Sequence, residues 1–283
     1  MRIRLFAVLI VAVALLGAGC STTSPKLQAG PPVSNGPVAP STTTTTLAPP
    51  PTIPGTASST PATVAYKPGD PCPVGPAPAV GTSTNVATTL ANLKQVSVYP
   101  NPVGDVPCVT LDNPDLAFKT PLTFVVLQQL PGWAQILLPS KPNESVGWIR
   151  ATDVEVTQHQ YRIEVSLSGH RVKVFNGTRA LVDTPAGVGT GDTPTPPGVY
   201  YTLALIKPTN GGYGPYAYAL SGHSTALDTF AGGDGRIGLH GTDDPSSIGK
   251  DVSHGCIRIP NDVITRMAEA IKLPLGVPVV VTA

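Results

Sequence analysis

The chain has 283 residues with a net charge of +1; only 12% are charged, while Pro (33) and Gly (29) together exceed a fifth. That length suggests two domains, since one core rarely grows past about 250–300 residues. A duplex or an acidic membrane surface requires a basic stripe. None is present, so nucleic acid is not an expected partner.

Met1-Arg-Ile-Arg4 is a short basic start, followed by twelve apolar residues, Leu5–Leu16, and the small residues Gly17, Ala18 and Gly19. Twelve residues fall short of the roughly 20 that a helix needs to cross a bilayer core of about 30 Å. The pattern fits an export signal over residues 1–19. Its removal takes Arg2 and Arg4 and no acid, so the net charge passes from +1 to −1. Cys20 follows at once. The arrangement resembles a bacterial lipoprotein signal, although Gly17 stands where that pattern prefers Leu. The resemblance implies that Cys20 is lipidated and becomes the mature N-terminus, anchored to the outer face of the cytoplasmic membrane next to the cell wall. Plain cleavage would give a secreted chain instead; export is expected either way.

Residues 20–84 read as a Pro/Thr-rich tether. Fifteen of the 33 prolines fall in residues 21–84, with the run Thr42–Thr46, and only Lys26, Lys67 and Asp70 carry charge. Such a stretch buries too little apolar surface to offset its ordering entropy, and in polyproline geometry it reaches at most about 200 Å. From residue 85 short apolar runs alternate with turns. Val96–Tyr99, Leu122–Leu127, Trp133–Leu138, Val146–Arg150 and Val154–Val156 predict strands of a small barrel over 85–157. Gly132-Trp133-Ala-Gln-Ile-Leu-Leu and Gly147-Trp148-Ile149 are similar to SH3-like domains of bacterial cell-wall proteins. Both Trp residues are expected to fill the core, with a ligand platform as the alternative.

Residues 160–283 form a further β-rich block, with strands predicted at Arg162–Ser166, Arg171–Phe175, Arg179–Asp183, Gly198–Ile206 and Val277–Val281. Val263, Ile264, Met267, Ala268 and Ile271 recur at helical spacing, with Asn261 as the N-cap candidate and Pro274 past the end. The fold class is therefore mainly β with one clear helix. Gly187-Val-Gly189-Thr-Gly191 superficially matches a dinucleotide loop, but Pro-rich sequence follows in place of a helix.

The chemistry lies in His240 and, sixteen positions on, Ser253-His254-Gly255-Cys256. A thiol nucleophile needs a base that holds it as thiolate, and that base needs an orienting acceptor on its second nitrogen. Backbone amides beside Gly255 suit a developing oxyanion. Zinc ligation by His240, His254 and Cys256 with Asp243 or Asp244 is the competing reading, but the His-x-Cys pair lacks the common two-residue ligand gap. A buried structural cysteine is the other. His159, His170 and His223 are expected to be ordinary surface or edge residues.

This stretch closely resembles the signature of the L,D-transpeptidase (YkuD-type) catalytic domain, and Thr193-Pro-Thr195-Pro-Pro-Gly-Val-Tyr200 looks like its upstream segment. The resemblance implies Cys256 as nucleophile, His240 as general base and acid, and the Gly241 carbonyl as the group orienting His240. It places Ser253, His254 and Gly255 around the oxyanion and the second layer of the site. Arg258 and Tyr218 are expected at the substrate, Arg258 either on a substrate carboxylate or as a loop anchor. No cofactor and no metal are implied. Partners implied are peptidoglycan stem peptides, the membrane through the Cys20 lipid, and carbapenem β-lactams as covalent inhibitors. The implied reaction is 3→3 cross-linking with release of D-alanine. Water or a protein amine as acceptor stays open, as does a non-catalytic wall-binding lipoprotein. With Cys20 and Cys256 so used, Cys72 and Cys108 remain as a disulfide pair.

Overall fold

The computed structural model describes residues 66–230 and 232–283. The expected export signal, lipidated Cys20 and most of the tether lie outside the described residues. Among the described residues no helix is long and apolar enough to cross a membrane.

The first domain holds β1 (Thr84–Thr89), β2 (Gln95–Val98), β3 (Val109–Asp112), β4 (Thr123–Leu130), β5 (Trp133–Leu137), β6 (Val146–Arg150) and β7 (Val154–His159). Five of these form an antiparallel sheet in the order β6-β5-β4-β1-β7, and β2 pairs with β3 beside it. Val96, Val98, Phe124, Ile136 and Ile149 alternate inward to make its core. Strands β1 and β3 were not expected from the sequence; β1, Thr-Asn-Val-Ala-Thr-Thr, has the composition of the tether it follows. The ordered chain also starts well before residue 84. Val146 donates its N–H to the Pro73 carbonyl (2.8 Å), Gly75 donates to the Glu144 carbonyl (3.1 Å), and Cys72 is bonded to Cys108. These contacts pin a segment that composition alone assigns to a spacer. Trp148 is buried, whereas Trp133 is half-exposed, with the Tyr99 ring edge-on at 5.2 Å and the Arg150 guanidinium over it at 4.8 Å.

The second domain adds β8 (Tyr161–Ser166), β9 (Arg171–Asn176), β10 (Arg179–Pro185), β11 (Val188–Gly189), β12 (Gly198–Ile206), β13 (Ala217–His223), β14 (Arg236–His240), β15 (Asp251–Ser253), β16 (Ile257–Arg258) and β17 (Pro278–Thr282). Eight of them build one sheet in the order β10-β9-β8-β17-β12-β13-β14-β16, antiparallel except for β8 with β17 and β14 with β16. Gly177-Thr178 closes the β9–β10 hairpin, with Gly177 in the left-handed region (φ 58°) open to glycine. Gly187–Gly189 is no nucleotide loop: it runs into β11, which lies parallel to β15.

The expected helix is shorter and less regular than its periodicity suggests. It runs as α1 (Asn261–Thr265) and continues as a π-helical turn, Arg266–Ala270, burying Ile264 and Met267. Pro260 occupies the cap position. Asn261 is not the cap, because its side-chain oxygen is taken by the Thr242 N–H at 2.8 Å.

Strand β12 belongs to both cores. Tyr200 enters the second-domain cluster, while Tyr201 and Leu203 are buried among Leu122, Phe124 and Ile136 of the first domain. Burying each of those side chains is worth about 1.5–3 kcal/mol. Polar contacts reinforce the join: Asn143 donates to the His223 carbonyl and accepts from the His223 N–H, both at 2.9 Å. Arg236 donates to the Pro139 carbonyl at 3.3 Å.

The Cys72–Cys108 bond closes a loop with a sequence separation of 36 residues. Replacing both cysteines by Ser is expected to lower unfolding free energy by about 3–4 kcal/mol, measured by denaturant titration of oxidised wild type and variant. An unchanged midpoint would show that the bond does not restrain the unfolded chain.

Candidate active site

His240 ends β14, and its backbone is held from both sides. Ala217 of β13 pairs with it on one flank and Arg258 of β16 on the other, and Ile259 donates its N–H to the His240 carbonyl at 2.9 Å. The imidazole is buried, 3% exposed. Its Nδ1 donates to the Gly241 carbonyl. A carbonyl only accepts, so Nδ1 carries the proton and Nε2 is the basic nitrogen. The Gly241 turn is itself fixed by Asn261, whose Oδ1 receives the Thr242 N–H. A side chain at Gly241 would collide with that same oxygen, which accounts for glycine there.

Cys256 sits on the turn between β15 and β16, beside β14. Gly238 of β14 adjoins its Sγ: a Cβ there would lie 3.9 Å from the sulfur, an ordinary van der Waals contact. The turn is braced from within. Ser253 is buried; its hydroxyl donates to the Cys256 carbonyl (2.6 Å) and accepts from the Gly255 N–H (3.1 Å). Gly255 takes φ 113°, open to glycine and strained for other residues. Because Ser253 already occupies the Gly255 amide, that amide is not free to meet an oxyanion as the sequence reading expects.

Two threonines that the sequence reading gave no site role brace the turn from outside. Thr195 donates to the Gly255 carbonyl (2.9 Å) and accepts from the Gly189 N–H (2.9 Å), and Thr193 donates to the Ser253 carbonyl (3.2 Å). The carbonyls they hold lie 60 residues away in sequence, and only the Thr-Pro-Thr-Pro pattern hinted at them.

The other expected site residues divide. His254 is exposed and stacks on Phe230 (centroids 5.2 Å apart) at the rim. Tyr218 borders the cleft but is fully buried, its hydroxyl donating to the Leu273 carbonyl at 3.4 Å, so its ring belongs to the core. The tyrosine at the site is Tyr213, whose ring lies 4.7 Å from the His240 ring. Arg258 is half-buried behind the cleft, outside its lining, with an Nε that makes no hydrogen bond among the described residues. His223 is buried and bonds Asp234 at 3.0 Å, in contrast to the surface position expected of it. Among the described residues no three His, Cys, Asp or Glu side chains gather as ligands for a metal.

His240, Cys256 and Tyr213 line one cleft of about 1010 Å³, whose opposite wall comes from the first domain. Burial pushes the Cys256 thiol above the ordinary cysteine value, against a backbone hydrogen bond from Gly238 and the Arg258 charge. Burial likewise brings His240 down to about 4, with the Gly241 hydrogen bond opposing and Arg258 adding to the fall. Without substrate the pair therefore rests as neutral thiol and neutral imidazole, and not as the thiolate the sequence reading expects. What the arrangement offers is a shielded nucleophile, a base of fixed tautomer in the same cleft, and a nearby cation that favours the thiolate once charge develops.

Known proteins resemble the C-terminal block. Residues 160–281 match the family model for the YkuD L,D-transpeptidase catalytic domain. YkuD of Bacillus licheniformis is 34% identical over 122 residues, 43% of this chain and 66% of that protein. YkuD of Bacillus subtilis is 32% identical over 111 residues, 39% of this chain and 60% of that protein. The chain thus spans just under two thirds of the curated relatives' own length. L,D-transpeptidase 3 from Mycobacterium tuberculosis aligns over 57% of this chain and 92% of its own, with 15% identity and a TM-score of 0.38. The family match and the curated relatives support a YkuD-type L,D-transpeptidase catalytic domain in the C-terminal block.

A neutral resting pair has a pH signature. Alkylation of Cys256 by neutral iodoacetamide is expected to keep accelerating above pH 9, followed by mass spectrometry; a plateau already reached at pH 7 would show a preformed ion pair. A second signature lies in stability. The unfolded imidazole protonates near 6.5 and the folded one only at about 4. The stability is therefore complete above pH 6.5 and falls through that window by up to about 3 kcal/mol. His240→Gln should flatten the fall in unfolding midpoint between pH 6.5 and 4; identical slopes would refute a buried neutral ring.

Proposed function

We propose that this protein is a cysteine-dependent peptidoglycan L,D-transpeptidase that forms 3→3 cross-links. The observation that carries the reading is His240, its Nδ1 committed to the Gly241 carbonyl and its Nε2 basic, in the cleft that also holds Cys256. The family match of the C-terminal block supports the reaction class.

In this reading a tetrapeptide stem enters with the carbonyl of its third residue, an L-centre, against Sγ. His240 Nε2 takes the thiol proton as sulfur attacks, so charge separation arises with the chemistry. Arg258 acts through its field, favouring the thiolate without touching the substrate. The Cys256 amide, which makes no backbone hydrogen bond among the described residues, receives the oxyanion. Collapse returns the proton from His240 to the departing amine of D-alanine and leaves a thioester. The side-chain amine of a second stem then displaces sulfur. Carbapenems acylate the same thiol.

Around that centre, the first domain is read as an SH3-like barrel. Residues 1–19 are read as an export signal, Cys20 as the lipidated anchor at the outer face of the membrane, and the Pro/Thr stretch as the spacer toward the wall.

Incubation with tetrapeptide muropeptides tests the reading. Wild type should release D-alanine, form a thioester at Cys256 and yield cross-linked dimers by mass spectrometry. Cys256→Ser, nearly isosteric, should keep the circular dichroism spectrum and lose at least about 10³-fold in turnover. Substantial turnover in that variant would defeat the nucleophile assignment, and release of D-alanine without dimers would point to water as acceptor.

A further inference from the structure

The cleft that holds Cys256 is a two-domain feature. Its floor is Gly238, His240 and Cys256 of the second domain; facing them, the connection from β3 to β4 in the first domain contributes Leu116, Phe118 and Leu122. Leu116 is 64% exposed, while Leu122 is buried in the first-domain core and Phe118 packs partly against it. The segment is tightly held. Asp115 accepts hydrogen bonds from the Ala117 and Phe118 N–H groups (2.8 and 2.9 Å), which fixes the turn that presents Leu116. At its base Asn113 is buried, accepting from Thr89 and Leu122 and donating to the Leu90 and Leu93 carbonyls. With Tyr201 and Leu203 locking one domain to the other, this wall is preorganised relative to the sulfur.

The chemistry supplies a reason for such a wall. A thioester on Cys256 hydrolyses unless an amine outcompetes water, and an amine does so only when its own peptide is bound nearby. A volume of about 1010 Å³ is at the upper end for one ligand and leaves room for a second peptide segment. The donor carbonyl has to lie on the floor, at Sγ, so the second peptide approaches it from the facing side. We infer that the Leu116–Leu122 wall of the first domain seats the acyl-acceptor peptide, making Leu116 and Phe118 determinants of cross-linking over hydrolysis. The inference rests on the acyl-transfer reading of Cys256. In the step it serves, the acceptor nitrogen forms the C–N bond, the C–S bond breaks, and the nitrogen's proton passes through His240 to Sγ, regenerating the thiol.

The test uses the full chain with a tetrapeptide donor and a stem tetrapeptide bearing a free side-chain amine as acceptor. Leu116→Ser alters an exposed side chain and leaves the core intact. The expected result is unchanged acylation of Cys256 by the donor, with the ratio of cross-linked to hydrolysed product lowered about tenfold and recovered at high acceptor concentration. Leu116→Met should retain the wild-type ratio. An unchanged ratio in Leu116→Ser, or a parallel fall in donor acylation, would overturn the inference while leaving the catalytic reading standing. A wild type that never acylates would overturn both.

Discussion

Strand β12 is the constraint on which the molecule turns. Its run Gly-Val-Tyr-Tyr-Thr-Leu-Ala-Leu-Ile is buried on both faces, as the near-continuous apolar sequence requires. One face packs into the second-domain core and the other enters the hydrophobic interior of the first domain. Neither domain can turn about this strand without exposing large side chains, and that rigidity is why a cleft can be shared between them. On either side of β12 the chain then does separate jobs, with β13 and β14 carrying the base and β17 joining the meander β8–β9–β10 to the centre.

Around the sulfur, polar side chains bond mainly to backbone. Ser253, Thr193, Thr195 and Asn261 all bond main-chain groups of the two turns that carry Cys256 and His240. The result is a site whose geometry is stiff and whose resting charge is low. Burial opposes both the thiolate and the imidazolium, so ionisation is deferred to the moment of attack, when a moving proton and a developing oxyanion offset its cost. Arg258, held in the sheet behind the pair, biases that moment without occupying the cleft.

How far the sequence reveals this depends on the range of the interaction. Local patterns suffice for β8, β9, β10, β12 and β17, where apolar alternation and turn residues coincide, and for the motif that brings His240 together with Cys256. They fail where the local signal is weak: Thr84–Thr89, with the Thr-rich composition of the tether before it, gives no strand pattern yet lies between two strands of the first sheet, and β13, with its Gly, Ser and His, carries a weak strand signal. The periodicity at 263–271 is real, but a π-helical turn and the diversion of Asn261 to Thr242 shorten the α-helix. Tyr218 and Tyr213 illustrate the limit within one segment. Five positions separate them, and only tertiary packing decides that one ring fills the core while the other meets the base. The facing wall at Leu116 and Phe118 lies about 140 residues from Cys256 in sequence, beyond any local signal.

The covalent link between Cys72 and Cys108 also has a mechanical side. Tension applied through the chain that precedes Cys72 enters the fold at that residue and passes through sulfur to the start of β3, beside β6, where main-chain bonds at Pro73 and Gly75 share the load. Load entering there therefore meets the first domain before it reaches the sheet that carries Cys256.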